Sequence, residues 1–454
     1  MQRHLVVRLI LLIWTAFVPL AFAQAQPTAP PHEQPASPPE AAATAQHQHQ
    51  GANTTLFPTR EASGTAWLPD ATPMYGFHYQ ARGWETMVHG NAFLQLLHEA
   101  APEHRGATQA GSINWLMAMT RRPVGHGAFG FRSMVSLEPW TIAGCGYPNL
   151  LATGEVCDGD TIHDRQHPHD FFMELAAEVQ QPLTGPLRWN LYAGLAGEPA
   201  LGPPGFPHRI SAMPNPLSPI AHHWLDATHI TFGVVTTGVS TQRWKVEGSV
   251  FNGREPDERR YDLDLARLDS FAARVWYLPA DALALQVSAG HLNDAEQGLA
   301  GAPRIDARRI TASATYHRRG NGRLWASTLA WGANRDVGET THGLTLESAV
   351  SADDRQTWFG RLELNGKPAH DLHIHEAVDI NETLGFIESN EVFTVGKLQA
   401  GYTRYFAARG GWSPGVGATI SAVFVPEALQ PRYGLGVGAG VFLTLRPAAH
   451  AMAQ

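Results

Sequence analysis

From Trp84 to about Arg446, apolar and polar side chains alternate in short runs of roughly ten residues, separated by segments rich in Gly, Pro, Asn and Asp. A period of two is the signature of strands, because successive side chains point to opposite faces. The alternation predicts sixteen strands, at 85–98, 108–120, 128–138, 171–180, 187–197, 229–240, 244–252, 271–278, 283–292, 309–317, 323–333, 341–350, 356–365, 391–406, 412–425 and 433–445. Trp244, Val246 and Val250 oppose Lys245, Glu247 and Ser249, and Trp358, Leu362 and Leu364 oppose Arg361, Glu363 and Asn365. In the fourth strand Phe171, Met173, Leu175 and Val179 oppose Glu174, Glu178 and Gln180. In the second strand Ile113, Trp115, Met117 and Met119 form an apolar face and Ser112 and Asn114 the other, so the rule of one greasy side and one wet side is applied there too.

The connections sharpen this pattern. Short ones (121–127, 181–186, 241–243, 279–282, 318–322, 407–411) alternate with long ones (139–170, 198–228, 253–270, 294–308, 366–390), with the short 334–340 as an exception. Tight turns on one side and long loops on the other are what a membrane-spanning antiparallel barrel requires. Closure follows from physics, since a sheet edge exposed to hydrocarbon leaves backbone groups unpaired at several kcal/mol each. The expected fold is therefore all-β, a transmembrane antiparallel β-barrel of about 16 strands. Its long extracellular loops either stand clear of the lumen or fold into it. Gly434, Gly436, Gly438 and Gly440 suit crowded sheet near the closure, and Trp84, Trp140, Trp189 and Trp412 are candidates for interfacial girdles.

Composition fits the same picture. Charged residues are 16% of the chain, against roughly 25% in soluble domains. Residues 1–23 have Arg3 and Arg8 before an apolar stretch that ends in Ala21-Phe22-Ala23, the layout of a signal peptide. Without it, 31 basic residues face 41 acidic ones, which excludes the basic footprint of a nucleic-acid partner. The chain divides into the signal peptide (1–23), a disordered or extended periplasmic segment (24–83), the barrel (84–446) and a tail (447–454). Export makes a disulfide permissible, and Cys145 and Cys157 are the only two cysteines. Their pairing would close a loop of thirteen residues and contribute about 3 kcal/mol by chain entropy.

The export signal, strand rhythm and low charge resemble porin-type bacterial outer-membrane proteins. The stretches Ser136-Leu137-Glu138-Pro139-Trp140, Cys145-Gly146-Tyr147-Pro148 and His163-Asp164-Arg165-Gln166-His167-Pro168-His169-Asp170 resemble an uncharacterised group of exported barrels with a Cys-containing, His-rich loop. The porin resemblance implies the outer membrane of a Gram-negative bacterium, contact with its lipids, and assembly into oligomers. Porins typically end on an aromatic residue. This chain departs from that, with Phe442 its last aromatic residue.

The chain holds 23 histidines, many of them in the long loops. His163, His167 and His169 with Asp164 and Asp170 offer imidazole and carboxylate ligands, and Pro168 keeps its neighbours extended. His208, His222, His223, Asp226 and His229 occupy a second loop, and His370, Asp371, His373, His375 and Glu376 a third. The candidate metal ligands are His163, Asp164, His167, His169, Asp170, His222, His223, His370, His373 and His375, for Zn, Cu or Ni. The other readings of the same residues are a hydrogen-bonded plug and a proton-sensitive gate. Glu174, Glu178, Arg188, Lys245, Glu247, Arg361 and Glu363 are expected to line the lumen, with His89, Asn91, Gln95, Arg132, Glu138, Asn190 and Glu347 as further candidates. No HExxH, GxSxG or P-loop pattern occurs, so no enzyme is expected. The functional expectation is a porin-like channel or transporter for transition-metal ions or other small solutes, with a His/Asp-rich constriction. The alternative is a plugged barrel that acts as a surface binding or structural protein.

Overall fold

A computed structural model describes residues 56–296, 304–336, 339–369, 371–374 and 391–448. The signal peptide, most of the linker, His370 and His375 lie outside the described residues. In chain order the strands are β1 (Phe77–Ala81), β2 (Trp84–Ala100), β3 (Ala107–Val124), β4 (Gly127–Val135), β5 (Tyr147–Cys157), β6 (Asp160–Gln166), β7 (Phe172–Pro182), β8 (Arg188–Gly197), β9 (Thr231–Ser240) and β10 (Trp244–Phe251). They continue with β11 (Ser270–Ala280), β12 (Leu283–Glu296), β13 (Ile305–Gly320), β14 (Arg323–Asp336), β15 (Glu339–Ala352), β16 (Gln356–Pro368), β17 (Val392–Tyr405), β18 (Trp412–Phe424) and β19 (Val437–Pro447). Every strand pairs antiparallel with its neighbours. The ring runs from β2 through β3, β4 and β7 to β19, and β19 returns to β2 with Val437 opposite Ala100 and Leu445 opposite Ala92. Sixteen strands thus close the barrel, as the alternation predicts.

Three strands stand outside the ring. β5 and β6 form a hairpin of their own, in the segment the sequence reading leaves as loop. β1 turns into β2 through Arg82 and Gly83, both at positive φ, and covers the edge of β2 that β19 does not reach. Asn321-Gly322 likewise has positive φ at both positions between β13 and β14. Such turns match the twist of the flanking strands.

The outer face is apolar all round. Leu94, Leu116, Phe131, Val246, Phe271, Val287, Ile310, Leu329, Leu364, Ile420 and Val441 are exposed, Ile420 to 64%. This belt belongs against lipid. Among the described residues no helix is long and apolar enough to cross a membrane. On β10 and β16 the alternation has the sense read from sequence, with Val246 and Leu364 outward and Glu247 and Glu363 buried inside. On β3 it runs the other way: Leu116 faces out, while Ile113, Trp115, Met117 and Met119 are buried inside. The rule of a wet inner side fails there because the chain itself supplies an apolar partner, with Phe57, Ile230 and Phe232 packed against that face.

The lumen is filled by in-folded chain. Residues 56–76, which the composition reading assigns to a disordered or extended periplasmic segment, pack inside the wall. Arg121 pairs with Glu61 at 2.6 Å, Arg132 donates to the Ala62 carbonyl at 2.7 Å, and Lys245 reaches the Thr65 carbonyl. Its apolar residues Phe57, Trp67 and Leu68 are all buried. The β4–β7 and β8–β9 connections also turn inward. Cys145 and Cys157 are joined in a disulfide beside the β5–β6 hairpin.

Candidate functional site

The wall presents charges to the lumen, and the plug answers them. Arg361 and Arg209 share Glu347, at 3.2 and 2.6 Å, and Arg209 also pairs with Asp226 at 2.5 Å. The Arg361 guanidinium donates to the Leu217 carbonyl at 2.8 Å, and Glu363 accepts the Ala221 amide at 3.0 Å. Lys397 binds Asn149 at 2.7 Å and Glu99 at 3.1 Å. Arg274 bridges Glu247 on its neighbouring strand (2.9 Å) and Glu198 on the plug (3.3 Å). Of the expected lumen residues, Glu174, Glu178, Lys245, Glu247, Arg361 and Glu363 are all buried in such contacts. Arg188 is the exception, exposed at the start of β8.

The centre of the plug is a cluster of imidazoles. Pro139 opens a helical turn at Glu138–Thr141 that buries the Glu138 carboxylate. That carboxylate receives the His169 backbone amide and ring Nδ1, both at 2.9 Å. A second helical turn, His222–Leu225, places His222 four residues before Asp226, which meets its Nδ1 at 2.9 Å. His229 directs Nδ1 to the Asp226 carbonyl at 2.8 Å, and His223 directs Nδ1 to Glu255 at 2.9 Å. His167 Nε2 lies 3.2 Å from Glu155, which also pairs with Arg260.

Ring centroids are 5.1 Å apart for His222 and His229, 5.3 Å for His169 and His229, and 5.4 Å for His222 and His223. Phe206 packs against three of these rings at 5.5 to 5.7 Å. A carbonyl only accepts, so His229 Nδ1 carries the proton and Nε2 keeps its lone pair. The Nε2 atoms of His223 and His229 are buried and have no hydrogen-bond partner among the described residues.

Burial sets most of the electrostatics. It holds His167 and His229 well below the ordinary imidazole range, and also lowers His222 despite the adjacent Asp226. For His169 and His223 burial again disfavours the cation, but Glu138 and Glu255 outweigh it and raise both. Burial pushes Asp170 up to about 7 even though Arg260 lies 3.4 Å away. Burial would raise Asp226 too, but Arg209 and His222 pull it below the usual carboxylate range.

Of the ten candidate ligands the structure brings together four, His167, His169, His222 and His223, and joins to them His229 and Asp226 of the second loop. It separates others. His163 stacks on His373 at 4.5 Å, and Asp164 pairs with Arg105 at 2.7 Å and accepts the Leu151 amide at 2.8 Å. Sequence reasoning did not anticipate Glu155, Glu255 and Arg260 as partners. Glu155 lies on β5 of the plug hairpin, Glu255 and Arg260 come from the β10–β11 connection, and no local spacing marks any of them. Among the described residues, two groups bring three ligand atoms within 4.8 Å of one another: Cys145, Cys157 and Asp158, and Asp257, Asp262 and Asp264. In the first the sulfurs are spent in the disulfide.

No family model and no curated protein matches the chain. Solved outer-membrane proteins do resemble it. The anion-selective porin of Comamonas acidovorans is 11% identical with a TM-score of 0.45, over 80% of this chain and 99% of that one. Salmonella typhi OmpF in complex with daunomycin is 10% identical with a TM-score of 0.48, over 82% and 100%. Pseudomonas putida OprB is 8% identical with a TM-score of 0.45, over 80% and 94%.

Proposed function

We propose that the protein is a porin-like barrel of the outer membrane that rests closed, and that any solute passes only when the in-folded chain moves. One observation carries this reading. Every strand of the ring buries inward polar or aromatic side chains, from Gln95 on β2 and Arg132 on β4 through Thr328 on β14 to Thr419 on β18. In an open pore those side chains would meet water. Planar-bilayer recording of the folded, full-length protein tests it. The expected record has no conductance steps of open-porin size, with steps appearing once residues 56–76 are deleted. Steady large steps from the intact chain would contradict the reading.

A second reading concerns what the plug holds, and the Nδ1 anchoring favours it. Imidazoles whose Nδ1 is fixed by a carboxylate or carbonyl present Nε2 as a ligand in a defined direction. We infer that His169, His222 and His229, whose ring nitrogens do not all lie within 4.8 Å of one another in this structure, draw together around a divalent transition-metal ion such as Zn, Cu or Ni when it binds, with Glu138 and Asp226 orienting the rings. Tag-free protein is expected to retain Zn through gel filtration, and His222→Gln with His229→Gln to lose it. Equal retention by the double variant would refute the assignment.

A further inference from the structure

Six of the nine methionines, Met74, Met87, Met117, Met119, Met134 and Met173, gather in one patch of the inner wall and plug. The strand register explains how. His89 on β2 faces Met117 on β3, Met117 faces Met134 on β4, and Met134 faces Glu174 on β7. These side chains form one row across four adjacent strands, with cross-strand Cβ spacing of about 5 Å. Met87 faces Met119 in the neighbouring row. A shift of register after Met134 also leaves Met173 buried beside Glu174.

The plug adds an imidazole to this row. His208, in a short helical turn at Phe206–His208, brings Nε2 to 3.3 Å from the Met134 sulfur. Its ring lies 4.7 Å from Trp115 and 5.7 Å from His89. The Nε2 of His89 is buried and has no hydrogen-bond partner among the described residues. Leucine or isoleucine would fill the same space, and they fill it elsewhere in the lumen, at Leu150, Leu217 and Ile220. What distinguishes this patch is soft sulfur next to imidazole nitrogen. Thioether donors select Cu(I) over the harder divalent ions. Glu174, the carboxylate across from Met134, is held by Arg132 at 3.0 Å and by the Tyr192 hydroxyl at 2.6 Å, which leaves a neutral donor set suited to a monovalent ion. With bonds of about 2.0 Å to nitrogen and about 2.3 Å to sulfur, donors 3.3 Å apart subtend about 100° at one ion.

We propose that the sulfurs of Met117 and Met134 and the Nε2 of His208 form a binding site for a soft monovalent metal ion, Cu(I) or its analogue Ag(I), with His89 as a fourth donor. The site uses none of the imidazoles of the plug cluster. It rests on the in-folded position of the β8–β9 connection, which carries His208 to the wall. The test is an anaerobic titration of the detergent-folded, full-length protein with Cu(I), in competition with a chromophoric Cu(I) chelator. X-ray absorption on the copper edge accompanies it. One equivalent should be held, with sulfur scattering in the first shell. Met117→Leu with Met134→Leu keeps the volume of the core and should weaken retention by more than about 100-fold, beyond the cost of losing an outer-shell partner. Met87→Leu, in the neighbouring row, should leave Cu(I) retention unchanged, which separates the loss of these donors from a general change in the core. The proposal is overturned if the intact protein holds no Cu(I), if copper is bound without sulfur neighbours, or if the double Leu variant holds it as tightly.

Discussion

Arg209 ties the plug to the wall through Glu347 on β15 and pairs within the plug with Asp226, both carboxylates being fully buried. A buried pair is a modest stabiliser when intact, yet removal of one partner strands the other charge in a poorly solvated site. Arg209→Ala should therefore lower the unfolding free energy by about 3 to 5 kcal/mol, read from the shift of the urea midpoint in detergent. A loss below about 1 kcal/mol, the scale of exposed pairs, would mean that water reaches the site. The imidazole cluster shows how far single residues can be read from sequence. His167, His169, His222 and His223 stand in motifs dense enough to notice. Their partners Glu155 and Glu255 do not: Glu155 sits on a strand of the hairpin that the alternation misses, and Glu255 meets His223 only when two separate loops fold into one lumen.

The strands were the most legible elements. Period-two alternation located all sixteen ring strands, with local errors at the ends. The last strand begins at Val437 rather than Tyr433, because Gln430–Tyr433 forms a helical turn that Gly434 ends at positive φ. β5 and β6 escaped because a hairpin buried on both faces within a plug shows little alternation: nearly all of β5 is buried.

The plug also has a pH dependence of its own. His167, His208, His222 and His229 are lowered by burial, so an undocked plug would take up protons below about pH 6.5 that the docked one refuses. Those four weaken docking as the pH falls through that value. In the opposite sense, burial lifts Asp170 and Glu198 to about 7, which favours docking as the pH falls from 7 towards 4. His169 and His223, raised by Glu138 and Glu255 against burial, lose their contribution as the pH climbs above 6.5. Burial also raises Glu155, against Arg260, and lowers His163, so five imidazoles stand against three carboxyls on the acid side and docking should be tightest near neutrality. Amide-exchange protection of residues 198–230, corrected for intrinsic rate, should fall between pH 6.5 and 5. A continued rise to pH 5 would show that the carboxyls dominate.

For the whole molecule, closure was readable and occlusion was not. Short turns at one end, long loops at the other and low charge required a ring without edges. The lumen's state depends on which wall groups face which loop groups, and that is settled by pairs such as Lys397 with Asn149 and Asn215 with Gln399, more than 180 positions apart in sequence. The inward apolar face of β3 was the one sequence clue that the interior has a dry partner. With an aqueous lumen the same alternation would put that face against lipid.

A cysteine placed at mid-lumen tests the filled interior most directly, since Cys145 and Cys157 are already joined and leave no background thiol. Thr328 on β14 is 1% exposed and hydrogen-bonded to Ser211 of the plug at 2.8 Å. In folded Thr328→Cys protein a membrane-impermeant maleimide should leave this thiol unmodified, and should label it fully after unfolding in urea. Rapid labelling of the folded protein would place water at the centre of the barrel and contradict the account.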